Sequence, residues 1–332
     1  MALTLRRWLA WVMLFVALSA VGLLLSLLIG TGFSVSESWK AIWGVGEAVD
    51  VVMGVRLERV VLGFLAGGAL SIAGLLLQTS LRNPLAEPYL LGLSSGAAVG
   101  VTVAALLDAA LLARSSAAFC GALLSVAALL AIAKRLSFFP PAVILAGVAL
   151  NAALSAAVLL TVALLKTPYL RETVYFLMGT LRRPPEPHWL VLLSSGGAAA
   201  VVFSVLRGPA LNLLLLGDAT AASSGVNPHH LRATAIALAS LAAAFSVSLC
   251  GLIGFVGLVV PHIMRLLLGG DVRLLAVASF AGGGLFLCGC DTASRALESA
   301  IPQLAIPVGV LTAVVGAPTL IVLLLRSWRR MR

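Results

Sequence analysis

Charge is what this sequence has least of. Only 10% of its 332 residues are Asp, Glu, Lys or Arg, against about 25% in an ordinary soluble domain, while 61% are apolar. So few charges exclude a water-soluble enzyme, and so apolar a chain excludes a disordered one, which needs a polar majority. The 32 glycines follow no triplet period, which excludes a collagen-like fibre. Cysteine is scarce as well. Cys120, Cys250, Cys288 and Cys290 all sit inside apolar runs and read as small packing residues, so no disulfide framework is implied.

The chemical signatures are missing too. No GxxxxGK[ST] loop occurs, so the chain does not itself cradle nucleotide phosphates in the usual way. There is no HExxH, no CxxC and no metal-spaced His/Cys group; of four histidines, His229 and His230 read as a solvated pair in a loop. Asp291 is the one acid clearly inside an apolar span, near its end, so the run of embedded carboxylates that a proton-coupled carrier uses is absent. No catalytic and no metal-binding residue is expected, and any transport must draw its energy from elsewhere.

What is present is a set of long charge-free intervals. A membrane-crossing helix needs about 20 residues without exposed charge, because each mid-bilayer charge costs about 2.5–3.5 kcal/mol on insertion scales. Such intervals run 8–36, 60–81, 88–107, 115–133, 136–165, 187–206, 233–264, 274–290 and 299–325. The interval 233–264 is too long for one crossing and carries Gly251, Gly254, Gly257 and Pro261, which predicts a turn near 251–254 and a second span ending near Arg265. The expectation is an all-α polytopic membrane protein of ten transmembrane helices, a single permease-like domain over 1–332. The run from Trp8 to Gly30 follows Arg6 and Arg7 but is too long for a signal-peptide core, and reads as the first transmembrane helix.

Even parity puts both termini on one side. With that side cytoplasmic, the inner segments hold thirteen cations against three acids, Glu87, Asp218 and Asp271, leaving nine of each outside. The whole net charge of +10 therefore falls inside, as the positive-inside rule requires. It is not a nucleic-acid signal.

Four ordered blocks carry a resemblance: GFLAGGALSIAGLLLQTSLRNPLAEPYLLGLSSGAAVG (63–100, preceded by Arg56-Leu57-Glu58-Arg59), LNLLLLGDATAASSGV (211–226), GLIGFVGLVVPHIMRLLLGGD (251–271) and IPVGVLTAVVGAPTLIVLLLR (306–326). Over about 50–326 the chain resembles the iron-chelate and cobalamin permease family of type II ABC importers. That resemblance implies ten helices per subunit and a homodimer with a pathway on its two-fold axis. It also implies two separate ATP-binding subunits inside, which hold the ATP and magnesium, and a periplasmic or lipid-anchored substrate-binding protein outside. No cofactor is expected in this chain, and its location is the cytoplasmic (inner) membrane.

Residue by residue, Arg56 and Arg59 are three apart, so on a helix they share a face and can offer forked donors to carboxylates. By resemblance they and Arg295 dock the binding protein. Gly63 and Gly67, like Gly92 and Gly96, have the GxxxG spacing that lets helices approach closely. Gln78, Arg82 and Asn83 before Pro84 end a helix on the cytoplasmic side, and the resemblance makes Asn83 and Leu85 part of an inner gate. The turn Ser137-Phe138-Phe139-Pro140-Pro141 takes the other gate position, although its Phe pair and double Pro have no one-to-one match. The helix over 142–165 has no charge and only Asn151, Ser155 and Thr161 as polar residues; by resemblance it lines the pathway. Val174 to Thr180, with Met178, resembles a short outer helix narrowing the mouth, and the Arg182-Arg183 pair that follows departs from the small residues usual there.

The segment 207–232 resembles the coupling loop that seats in the ATPase, through Leu216, Gly217, Asp218, Ala219 and Gly225. Ala219 stands where the family usually has a second acid. The function implied is import of an iron chelate, ferric siderophore or haem, by alternating access. Cobalamin import on the same architecture is the alternative, and an ion-coupled carrier or a purely structural subunit are the rivals.

Overall fold

The computed structural model describes residues 5–181, 186–301 and 306–331, and among them all regular structure is helical. Fourteen α-helices follow in order: α1 Leu5–Leu28, α2 Val35–Ile42, α3 Leu57–Ser80, α4 Leu93–Leu106, α5 Leu111–Arg135, α6 Pro140–Ala163, α7 Thr167–Met178, α8 Pro187–Leu206, α9 Gly208–Leu216, α10 Asp218–Ser223, α11 Pro228–Cys250, α12 Val256–Leu268, α13 Val272–Ala300 and α14 Val308–Met331. A π-helical turn, Asp50–Arg56, leads into α3, and a 3-10 turn, Pro88–Leu91, precedes α4.

Helix is the structure such a composition demands, because a backbone sunk in an apolar medium must pair its own N–H and C=O groups. The starts are written locally. Proline, whose missing N–H costs nothing in a first turn, opens α6, α8 and α11. The Asn227 side chain accepts from the N–H groups of His229 (3.1 Å) and His230 (3.2 Å), and Asp271 accepts from Arg273 N at 3.0 Å. Both are N-caps satisfying donors that have no partner in the helix.

Each charge-free interval contains a helix, and 233–264 divides as its glycines predict. The chain leaves α11 at Cys250, crosses 251–254 without regular structure, turns at Phe255 with φ 69°, and enters α12. Among the described residues seven helical segments are long and apolar enough to cross a membrane, while the apolar helices α4 (Leu93–Leu106) and α12 (Val256–Leu268) are shorter. These two are too short to cross alone. At 1.5 Å per residue, 14 residues reach only about 21 Å of a hydrocarbon core about 30 Å thick.

The shortfall has a physical reason. The breaks before α4 and α12 pack on each other, and donors and acceptors there pair inside the protein. Tyr89 Oη donates to Ile253 O and accepts from Ile253 N, both at 2.6 Å. The Gln78 amide donates to Gly257 O (3.3 Å) and Leu258 O (3.2 Å). Irregular backbone at membrane depth is tolerated only when buried and paired in this way.

The core is built on α3, from which Leu62 to Ser80 are almost wholly buried against α11, α12 and α13. Two close approaches fix that packing. A side chain at Gly67 would collide with Gly283 O of α13, and one at Gly74 with Gly257 O of α12. Gly67 belongs to the expected small-residue motif, and Gly74 adds a second contact of the same kind. By contrast α1 and α6 leave most of their side chains outside the core.

Candidate functional site

Two clusters of charged residues lie about 32 Å apart along α3, at Arg59 and at Ser80. The first surrounds Asp291 near the C-terminal end of α13. Its Oδ1 receives Arg59 Nε at 2.8 Å and Nη2 at 2.7 Å, and its Oδ2 receives Arg295 Nε at 3.0 Å. Arg295 then donates from Nη1 to Ile29 O (2.7 Å) and from Nη2 to Ser26 O (2.9 Å), tying α13 to the end of α1. Arg56 turns elsewhere, to Leu27 O (2.7 Å), Thr31 O (3.2 Å) and Ser38 Oγ (3.0 Å).

This corrects one expectation. Arg56 and Arg59 do not share a presenting face, because the π-helical turn and the pull of Asp291 send their guanidiniums to different partners. Arg56 and Arg295 are each 4% exposed, with donors committed within the chain. Arg59 is the most accessible of the three, its side chain 16% exposed.

The second cluster surrounds Asp218, the first residue of α10. Arg232 at the start of α11 donates from Nη2 to Asp218 Oδ1 at 2.7 Å, and Arg82 Nη2 lies 3.3 Å from the same oxygen. Burial alone would raise the Asp218 carboxyl; the hydrogen bond and charge of Arg232, with Arg82 and His229 adding, outweigh it and hold it below the usual carboxylate range. Nearby, Asp271 is likewise lowered, first by its hydrogen bond to Arg273, and it ties α13 to α9 through Asn212, whose Oδ1 accepts from Val272 N at 3.1 Å.

The gate and coupling residues expected from the sequence gather at this same end. Asn83 Oδ1 accepts from Leu85 N at 2.9 Å, closing a side-chain turn that leaves Leu85 exposed. Ser137 and Phe138 both take the left-handed conformation (φ 50° and 51°), and Phe139 is exposed. The segment 207–232 does fold as two short helices, α9 and α10, joined at Gly217. There φ 131° and ψ 157° are a conformation essentially reserved for glycine. Leu216, Ala219 and Gly225 are exposed around it, so a second acid at 219 would have stood on the surface.

On α6, Asn151 and Ser155 lie one turn apart and both are half-buried; Asn151 Oδ1 accepts from Ser95 of α4 at 2.5 Å. Met178 ends α7 and is exposed. The chain after α7 is stitched to the 251–254 break by Thr180 N to Cys250 O (2.7 Å) and Leu252 N to Phe176 O (3.1 Å). Arg182 and Arg183 lie outside the described residues. Sequence reasoning missed Arg232, counted only as one cation among the inner thirteen, and Tyr89, an ordinary aromatic in an apolar run.

Comparison with known proteins agrees with this architecture. A model of the FecCD transport family matches residues 17–326, from within α1 into α14. The chain belongs to the FecCD transport family. Among relatives, it is 38% identical, over 85% of this chain and 75% of the relative, to a cobalamin import system permease protein BtuC of Halobacterium salinarum. It is 36% identical, over 83% of each, to a probable iron chelatin transport system permease protein of Helicobacter pylori. A solved structure described as an inward-facing conformation of a metal-chelate type ABC transporter superposes with TM-score 0.82 at 27% identity, covering 96% of this chain and 99% of that one. The FecCD fold therefore spans both ion clusters, and the chain is a multi-pass membrane protein of a transport family.

Proposed function

We propose that this chain is the membrane-spanning, non-catalytic permease subunit of a binding-protein-dependent ABC importer for a metal chelate. The observation that carries this reading is the FecCD match over 17–326, in a chain whose sequence holds no phosphate-binding loop. In this reading the seven long apolar helices, with α4, α12 and α14, make ten crossings with both termini cytoplasmic, so the Asp218 cluster faces the cytoplasm and the Asp291 cluster the outside.

Two copies pair about a central pathway lined by α6. Two separate ATP-binding subunits, which carry the ATP and magnesium, seat against α9 and α10, with Leu216 and Ala219 at the contact. Their closure is passed on as a rigid-body movement to the turns at Asn83–Leu85 and Ser137–Phe139, which gate the pathway. A periplasmic or lipid-anchored binding protein docks at the opposite end, where Arg59 is the best placed of the three expected arginines. The cargo proposed is an iron chelate, ferric siderophore or haem. Cobalamin is the second reading, favoured by the Halobacterium relative.

The test is ATP hydrolysis by the complex in liposomes, with binding proteins loaded in turn with haem, a ferric siderophore and cobalamin. Stimulation by one loaded protein is expected and names the cargo. Transport driven by an ion gradient with no ATP-binding subunit present would overturn the reading.

A further inference from the structure

Arg232 is wholly buried, and it is the largest side chain so placed among the described residues. A buried guanidinium must have its donors met, and here they are met from three separate pieces of chain. Nε donates to Ser80 O at the end of α3 (2.8 Å), Nη1 to Phe138 O in the turn between α5 and α6 (3.1 Å), and Nη2 to Asp218 Oδ1 on α10 (2.7 Å). We infer that Arg232 is the positioning residue that links α10 mechanically to both cytoplasmic gate turns, so that movement of α10 reaches 137–139 through its guanidinium and 81–85 through it together with the direct Arg82–Asp218 pair.

The mobility of the parts points the same way. α10 is six residues long and stands between Gly217 (φ 131°) and Gly225 (φ 79°), positions that let the chain pivot on either side. Arg232 itself is fixed, because α11 packs into the core against α3. The 137–139 turn holds two consecutive non-glycine residues in the left-handed region, a strained conformation that persists only where its surroundings impose it. Phe138 N is held by Ala133 O at 2.8 Å, and the carbonyl of the same residue is held by Arg232. Displacing Asp218 would take away the anion that balances the buried charge. With its backbone fixed in α11, Arg232 must then swing its guanidinium after the carboxylate, which shifts its hold on Ser80 O and Phe138 O and so moves the gate turns.

The inference rests on the reading of the chain as an ABC permease, and the experiment separates the two. The tagged chain, carrying Cys120→Ser to remove the exposed native thiol and Ser137→Cys as reporter, is purified from its native membrane with whatever ATP-binding subunits accompany it. The rate at which a maleimide labels position 137 is compared without nucleotide and after trapping with ATP and vanadate. In the parent complex the two rates differ. Arg232→Gln and Asp218→Asn are each expected to shrink that ratio about fivefold, the lower end of ordinary coupling between sites, and Arg232→Lys to restore part of it.

An Arg232 that merely held the fold together would lower the melting temperature and leave the ratio alone, and Asp218→Asn, on an exposed helix, tests the link where Arg232→Gln fails to fold. Retention of the parent ratio in Asp218→Asn overturns the inference while the permease reading stands. A parent complex without ATP-binding subunits, or without a nucleotide response, removes both.

Discussion

Asp291 and Asp218 each sit between two arginines at nearly the same distances, 2.7 and 3.0 Å in one case and 2.7 and 3.3 Å in the other. They differ in what surrounds them. The Asp291 side chain is 2% exposed and its arginines belong to the long helices α3 and α13, whereas the Asp218 side chain is 38% exposed and rides on a six-residue helix between two glycines. An ion pair out of water is expensive to break, because the abandoned charge has no solvent to turn to. At Asp218 only one partner meets that difficulty: the carboxylate, 38% exposed, can turn to water when the contact opens, while Arg232, 0% exposed, cannot. The same residue types thus make a fixed anchor at one end of the bundle and a releasable contact at the other.

The sharpest way to break this comparison is to remove the two carboxylates in turn. Asp291→Ala leaves Arg295 buried without its anion, and by analogy with other buried pairs should cost about 3–5 kcal/mol, seen as a large drop in the thermal midpoint of the purified protein. Asp218→Asn removes a carboxylate that water already reaches and leaves Arg232 its two backbone carbonyls, so a smaller loss, about 1 kcal/mol or less, is expected. A midpoint that falls as far for Asp218→Asn as for Asp291→Ala would show that both clusters are structural, and would erase the distinction between them.

Much of this was legible in the sequence. The intervals appear because a charge in hydrocarbon is costly, and the break at 251–254 appears because glycines and a proline interrupt an overlong run. The two short helices α9 and α10 follow from the block at 211–226. What was not legible is who pairs with whom. Arg295 is four residues after Asp291, a spacing that a helix converts into contact, but Arg59 is 232 positions away and only the packing of α3 on α13 brings it in. Arg232 looks like any positive-inside cation at a helix start; its three acceptors lie 152, 94 and 14 residues away, and two of them are backbone carbonyls that no side-chain pattern encodes. Arg56 and Arg59 turn to different partners for a related reason. Spacing on an ideal helix says which face a residue starts from, but the π-helical turn ending at Arg56 and the buried carboxylate of Asp291 decide where each guanidinium goes.

The smallest expected effect concerns pH, and its sign follows from Asp218. A carboxyl held below its usual range in the folded protein binds protons more weakly there than in the unfolded chain. Its contribution is therefore complete above the ordinary Asp value of about 3.9 and is lost as pH falls through the lower folded value. The contact between α10 and α11 should be indifferent to pH between 8 and about 5 and weaken only on stronger acidification, as Arg232 faces a neutral carboxylic acid in place of an anion. Asp218→Asn has no such proton to bind. The difference in thermal midpoint between the parent and Asp218→Asn should accordingly stay constant through the neutral range and narrow in acid. A difference that widens on acidification would mean that the neutral carboxyl is the form the Asp218 cluster prefers, and that Arg232 does not hold α10 through a charged contact.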